Sequence, residues 1–373
     1  MKLATRYKDR PRWAVGTAGA LGAAAIMAVT QGPAAATTEP PSSDAAASGL
    51  EIVWVEQGAG NPYWDAQHAA AAEAADRLGF DFRVVSGDLD PAVQASVVQQ
   101  TVDQGPDAIM VNAIDPSAIA EAYQYAADNG VPIVNLYGLD EGATSSITFD
   151  EIRTGEMMGA HALSLLEARY GEPTGEVAVL HGILGQPASD LRAQGFIDFM
   201  EDNGIEVVDV QPTNWQADEA SATMENWLTR YPDLSLVYAL SDTLAVPAMN
   251  IAERDDRLCR NDVDPAELEN CVMFVSVDGI FANEVVDGRL MATAPYSPEW
   301  SGFQFAELAH AVASGADFEP ENVINSMLVT PENAECVVEM TTAMTDDLDN
   351  FPFEGTLQEI AADPFGCTVL DEV

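Results

Sequence analysis

Residues 108–137 read AIMVNAIDPSAIAEAYQYAADNGVPIVNLY. The stretch opens and closes on short apolar runs of strand length, AIMVN and IVNLY. Between them Pro116–Asn129 has helical spacing, with Asp115-Pro116 as a start signal and Asn129-Gly130 as a stop. Strand, helix and strand in so few residues make one βαβ unit, which sets the two strands parallel. The same alternation extends upstream. Strand-like runs begin at Glu51 (EIVWVEQ) and Phe82 (FRVVS), and helices are expected over Tyr63–Leu78 and Pro91–Asp103. Parallel strands of this kind are buried on both faces.

Downstream the pattern repeats. A helix is expected over Glu151–Tyr170, then strands from Glu176 (EVAVL), Glu206 (EVVDV), Leu236 (LVYAL), Val272 (VMFVSV) and Met291. The intervening helices are Ala188–Asn203, Asp218–Tyr231, Thr243–Ala252 and Gly279–Asp287. Pro298–Ser314 follows, stopped by Gly315. A strand-like Val323–Val329 comes last. Two tandem α/β units with extra elements at the end imply two lobes and a chain that crosses between them more than once. Crossings are expected near Thr148–Asp150, Ala294–Ser297 and Asn322–Asn325. The N-terminal lobe is then 50–149 plus 297–323, and the C-terminal lobe 150–296 plus 324–373.

The beginning of the chain reads differently. Lys2, Arg6, Lys8, Arg10 and Arg12 precede an apolar Ala14–Thr30 and a small-residue Ala34-Ala35-Ala36. That order reads as a secretory signal over residues 1–36, rather than an uncleaved membrane anchor, because the apolar stretch is short and rich in Gly and Ala. Residues 37–49 (TTEPPSSDAAASG) have the composition of a disordered linker. The rest is expected outside the cytoplasm, in a periplasmic or extracellular place associated with the cell envelope. The four cysteines, Cys259, Cys271, Cys336 and Cys367, fit an oxidising compartment. Of three connectivities, Cys259–Cys271 and Cys336–Cys367 are expected, because each pair brackets a polar loop or tail. No C-x-x-C spacing occurs and the histidines show no ligand spacing, so no metal site is expected.

Against 61 acidic residues stand 15 basic ones, for a formal charge of −46. Both lysines lie in the first ten residues, so the remainder carries arginine only. Such a chain is expected to repel nucleic acid and anionic membranes. Its charge reads either as a strongly solvated acidic surface or as adaptation to salty surroundings, and we favour the second.

Ligands of doubly wound sheets sit beyond the carboxyl ends of the strands. Gly60-Asn61-Pro62-Tyr63-Trp64 follows the first strand, with its two adjacent rings either a ligand-stacking wall or divided between core and surface. Tyr137 follows the fourth. Asp190 and Arg192 head the helix after Glu176–Leu180, Trp215 follows Glu206–Val210, and Ser241-Asp242 follows Leu240. Asp278 ends the next strand and Tyr296 follows the last. Any one Asp here reads as a helix cap. Together the rings and carboxylates suit a sugar, whose C–H face stacks and whose hydroxyls donate.

These residues carry a resemblance. Asn61-Pro62-Tyr63-Trp64, Val131-Pro132-Ile133, Arg192-Ala193-Gln194-Gly195-Phe196, Ser241-Asp242 and Val277-Asp278-Gly279 are similar, in order and spacing, to the ribose-binding branch of the periplasmic binding proteins. That family shares its fold with LacI-type regulators. The resemblance spans roughly residues 50 to 330. It implies a periplasmic binding protein-like fold of type I: α/β, two doubly wound parallel-sheet lobes joined by a three-segment hinge. It implies ligand contacts from Asn61, Tyr63 and Trp64 on one lobe and Trp215, Ser241 and Asp278 on the other; the strand-end reading adds Tyr137, Asp190, Arg192 and Tyr296 as ligand-binding candidates. It further implies a monomer without cofactor that delivers a small sugar or polyol to ABC transporter permease subunits. Where ribose binders carry an Asp-Arg pair after the fourth strand, this chain has Tyr137-Gly138. Where they carry an arginine at the helix head, it has Asp190. Tyr296 replaces a glutamine. These departures point away from ribose, toward another sugar, a polyol or an amino-bearing ligand.

No nucleophile elbow, P-loop or H-E-x-x-H motif marks an enzyme, and residues 1–49 hold no DNA-binding element. A ligand-sensing partner of a membrane receptor fits the sequence as well as transport does. Salt screens repulsion among like charges, so the melting temperature is expected to rise as sodium chloride is added. A melting temperature indifferent to salt contradicts this reading of the charge.

Overall fold

A computed structural model describes residues 49–324, 326–348, 351 and 367. The expected signal and nearly all of the linker lie outside the described residues. The chain runs β1 (Glu51–Glu56), α1 (Pro62–Leu78), β2 (Asp81–Ser86), α2 (Pro91–Gln104), β3 (Ala108–Asn112), α3 (Pro116–Asp128), β4 (Ile133–Leu136) and β5 (Ser145–Phe149). Three helices here begin the same way. Asn61, Asp90 and Asp115 each cap with a side-chain oxygen, and Pro62, Pro91 and Pro116 follow at the first helical position. Each cap stands just past a strand, so each helix start faces the carboxyl edge of the sheet.

The second lobe comprises α4 (Glu151–Tyr170), β6 (Glu176–His181), α5 (Pro187–Asp202), β7 (Val207–Pro212), α6 (Ala217–Arg230), β8 (Leu234–Ala239) and α7 (Asp242–Arg254). It continues with β9 (Met273–Asp278), α8 (Asn283–Val286) and β10 (Ala292–Pro295). Then α9 (Pro298–Ser314) returns to pack on α1, and β11 (Glu321–Ile324) pairs with β5. Val329 next meets Thr293 of β10, and α10 (Ala334–Asp346) packs beside α8. Between β1 and α10 the described chain therefore passes between lobes three times.

All strand pairs are parallel, in the orders β11-β5-β4-β3-β1-β2 and β10-β9-β8-β6-β7. Both faces of the first sheet are covered. Ile109, Val111 and Ile133 pack with Val98, Ile119 and Tyr123 of α2 and α3, while Trp54, Met110 and Val134 pack toward α1 and α9. Trp54 and Phe305 meet edge to face with ring centroids 5.0 Å apart. Cys259 pairs with Cys271 and Cys336 with Cys367, both in the second lobe. Closing the shorter loop, 12 residues in sequence separation, restricts the unfolded chain by about 3 kcal/mol.

Three elements differ from their sequence expectation. The short strand β5 is polar, Ser-Ser-Ile-Thr-Phe, and its Ser145 and Ser146 are buried only because β11 covers the edge. The helix expected over Gly279–Asp287 is one turn, α8. Its start is diverted by left-handed backbone at Asp278 (φ 96°) and Gly279 (φ 71°). The run expected as one strand over Val323–Val329 is split between the two sheets by a crossing.

Helices α4 and α5 lie in close contact, and glycines allow it. A Cβ on Gly195 would run into the Ile152 carbonyl, and one on Gly155 into the carbonyl of Arg192. Gly195→Ala is expected to destabilise the fold by about 1–3 kcal/mol, read as a lower urea midpoint. An unchanged midpoint contradicts this account of the crossing.

Candidate functional site

The carboxyl edges of the two sheets face each other across a cleft. Gln57, Asn61, Tyr63, Trp64 and Tyr137 form the first wall, and Gln186, Ala188, Arg192, Trp215, Ser241 and Asp278 the second. The space between the walls is about 30 Å³, against roughly 300–1,000 Å³ for ordinary ligand pockets. A sugar ring therefore enters only if the walls part. Outside Trp215 the cleft widens to a groove of about 440 Å³ bordered by Pro62, Pro247 and Phe281.

On the first wall both rings of the Tyr63-Trp64 pair are buried, at 4% and 6% exposure, so neither is a surface ring. The Asn61 side-chain oxygen is spent on the backbone N–H of Tyr63 at 2.9 Å, which leaves its amide N–H groups. The Tyr63 hydroxyl and Gln57 Oε1 are buried without a hydrogen-bond partner. Tyr137 follows β4 with φ 76°. Its loop is pinned by Asn135, which donates to the Gly138 carbonyl at 2.7 Å and to Asp140 at 2.9 Å.

On the second wall Asn214 and Trp215 adopt φ 49° and 58°, and Asp278 φ 96°. Left-handed backbone at Tyr137, Trp215 and Asp278 places strained residues at the cleft, as binding sites often do. The Trp215 indole N–H donates to Gln186 Oε1 at 2.7 Å. Gly182 makes room for the ring, since a Cβ there would strike Trp215 and Ser189. The Ser241 hydroxyl caps α7 by accepting from Thr243 N at 3.1 Å.

Arg192 is the buried cation of this wall, 3% exposed. Its Nε and Nη2 donate to the two oxygens of Glu151 at 2.7 and 3.0 Å. Its Nη1 donates to the Leu240 carbonyl and to Asp278 Oδ1, the latter at 3.3 Å. Burial alone pushes the guanidinium down, but Glu151 and Asp278 outweigh it and hold its pKa well above the usual arginine range. Burial raises both carboxylates, and Arg192 pulls them back. Asp242 lies behind Asp278 and accepts from Ser276, from Phe281 N at 3.0 Å and from Thr293 at 2.8 Å. Burial drives its carboxyl up to about 7, and the nearby Asp278 adds to the rise.

Two of the expected residues lie elsewhere. Asp190 has a side chain 48% exposed, accepts from Gly185 N at 3.2 Å, and stands 3.5 Å from His181. It ties the Gly-rich loop to its helix, because it sits on the outer face of the first turn of α5. Tyr296 is buried in the second crossing. Its hydroxyl donates to Glu151 at 3.0 Å, and its ring stacks 3.9 Å from Phe149 and 4.8 Å beneath the Arg192 guanidinium. Sequence reasoning missed Gln57, Gln186 and Glu151. Gln57 follows a strand and was open to the same rule as Asn61. Glu151 carried no signal, being one acid among 61.

Residues 52–317 match the family model described as periplasmic binding protein domain, and the chain belongs to that family. Among curated relatives, the ribose import binding protein of Escherichia coli K12 is 25% identical over 274 residues, 73% of this chain and 88% of that protein. A xylitol-binding protein of Mycolicibacterium smegmatis is 24% identical over 260 residues, 68% of this chain and 70% of that protein. Among solved structures, an ABC transporter solute-binding protein from Bacillus halodurans C-125 with bound myo-inositol aligns with a TM-score of 0.67 and 25% identity, over 77% of this chain and 97% of that one. A galactofuranose-binding protein aligns with a TM-score of 0.70 at 19% identity, over 79% and 99%, and likens the fold. These relatives are named as binding proteins, and this chain is a binding protein rather than an enzyme. No helix among the described residues is long and apolar enough to cross a membrane.

Removing Glu151 leaves Arg192 buried without its main counter-charge. Glu151→Ala is expected to cost about 3–5 kcal/mol in urea unfolding, and a loss below one kcal/mol (about the value of an exposed pair) contradicts the buried network. Asp242 has a folded pKa raised from 3.8 to about 7. Its contribution is present below the lower value and is lost as pH rises through the upper. The stability of the parent relative to Asp242→Asn is expected to fall across that window, and a flat difference contradicts a buried carboxyl.

Proposed function

We propose that the chain is an exported solute-binding protein that closes on a small sugar or polyol other than ribose and delivers it to ABC transporter permease subunits. One observation carries this reading: a cleft whose two walls come from different lobes, each supplying rings and hydrogen-bonding groups. Rings of Trp64 and Trp215 offer flat apolar faces for C–H groups, while Gln57, Asn61 and Asp278 offer acceptors and donors for hydroxyls. Lobes 50–149 with 297–323 and 150–296 with 324–373 move as rigid jaws about the three crossings. The relatives named for ribose and xylitol, and the structure holding myo-inositol, support a polyhydroxylated ligand for this chain too. Tyr137-Gly138 and Tyr296 in place of the polar residues of ribose binders argue against ribose itself.

A thermal-shift screen over pentoses, hexoses and polyols tests the class. At least one is expected to raise the melting temperature, and ribose is expected to be weak. No shift from any member contradicts the reading. Trp215→Ala is expected to weaken the best ligand by at least tenfold while the circular dichroism stays that of the parent, and unchanged affinity removes Trp215 from the contact surface.

A further inference from the structure

We propose that the ligand is a cationic carbohydrate: a sugar or cyclic polyol in which an ammonium group stands in place of one hydroxyl, with that ammonium held at Asp278. The proposal rests on the sugar-or-polyol reading above and narrows it.

The charges around the cleft do not balance. Arg192 is the cation among the lining residues, and Glu151 already takes it with both carboxylate oxygens. The remaining guanidinium nitrogen, Nη1, is divided between the Leu240 carbonyl and one oxygen of Asp278. One positive charge thus faces two buried carboxylates, and Asp278 is the one that lines the cleft. Asp242, behind it, adds negative potential as it ionises. Across the cleft stand the hydroxyls of Tyr63 and Tyr137, which burial keeps neutral. Among the described residues, no further Arg or His lies within ion-pair distance of Asp278. Removing water from an unbalanced carboxylate is costly unless a counter-charge arrives with the ligand.

The other wall groups fit the same guest. Gln57 Oε1 is a buried acceptor without a donor, and an ammonium is three donors and no acceptor. Tyr63, Trp64, Tyr137 and Trp215 line the cleft, and an aromatic ring attracts a cation held over its face within about 6 Å of the centroid. The remaining donors, the Asn61 amide and the Tyr63 hydroxyl, are left for the hydroxyls that the ligand keeps.

Isothermal titration calorimetry on matched pairs tests this. Glucose is compared with glucosamine, and myo-inositol with a monoamino-inositol, at neutral pH and in high salt. Salt removes the unspecific pull of a chain charged −46 on any cation. The amine of at least one pair is expected to bind at least tenfold tighter than its hydroxyl partner. Asp278→Asn is expected to erase that preference, the amine losing at least tenfold more affinity than its neutral partner. The preference is also expected to fade as acid protonates Asp278, and as base neutralises the amine. If the neutral member of each pair binds as tightly as the amine, the proposal is overturned and the sugar-or-polyol reading stands. If Asp278→Asn keeps the preference, the ammonium is not held at Asp278 and the proposal is overturned. If no member of either pair binds, nor any other sugar or polyol, both readings fall together.

Discussion

The Arg192 guanidinium is the constraint on which the site depends. It is buried among groups from four places in the chain: Glu151 at the start of α4, Leu240 after β8, Asp278 at the end of β9 and Tyr296 between β10 and α9. Two of these, Glu151 and Tyr296, flank passages of the chain between lobes. A charge so placed cannot be left with unmade bonds, because each lost partner exposes it to the full cost of its burial. The network therefore fixes how the second lobe meets the crossings, and it fixes where Asp278 stands in the cleft. The close packing at Gly155 and Gly195 brings α4 near enough to α5 for Glu151 to reach Arg192.

Around that anchor the chain accepts local strain. Tyr137, Trp215 and Asp278 each hold left-handed backbone without being glycine. Each is steadied by a neighbour: Asn135 pins the turn after β4, Gln186 fixes the Trp215 indole, and Arg192 holds Asp278. Such residues are positioned before any ligand arrives, which lowers the ordering cost of binding. The three-crossing architecture supplies the complementary freedom, since a few residues between rigid lobes can absorb the motion that opens so narrow a cleft.

Much of the fold was legible in the sequence because parallel strands buried on both faces are written as apolar runs, and the first three helices open with Asn-Pro or Asp-Pro. The αβ alternation of both lobes followed from the apolar runs and the helical spacing between them. The short strand β5 was not legible, since its two serines are buried by a partner strand more than 170 residues away. The one-turn α8 was misjudged because the backbone at Asp278 and Gly279 spends its turn on shaping the cleft. At the site, the rule that ligands lie past strand ends led to Asn61, Trp215 and Asp278, all of which line the cleft. It also led to Asp190 and Tyr296, which do not. Asp190 sits one helical position from the inward face, and Tyr296 turns into the hinge to meet Glu151, contacts set by tertiary packing rather than spacing. Glu151 was invisible for a physical reason: in a chain this acidic, one more carboxylate at a helix start looks like surface.

The central claim is that one small ligand is held by both lobes at once. The direct measurement is a crystal structure with the tightest ligand from the binding assays. The account predicts density between the sheets, in contact with Trp64 on one side and with Trp215 and Asp278 on the other. Density confined to one lobe, or lodged away from the Arg192 network, would contradict it.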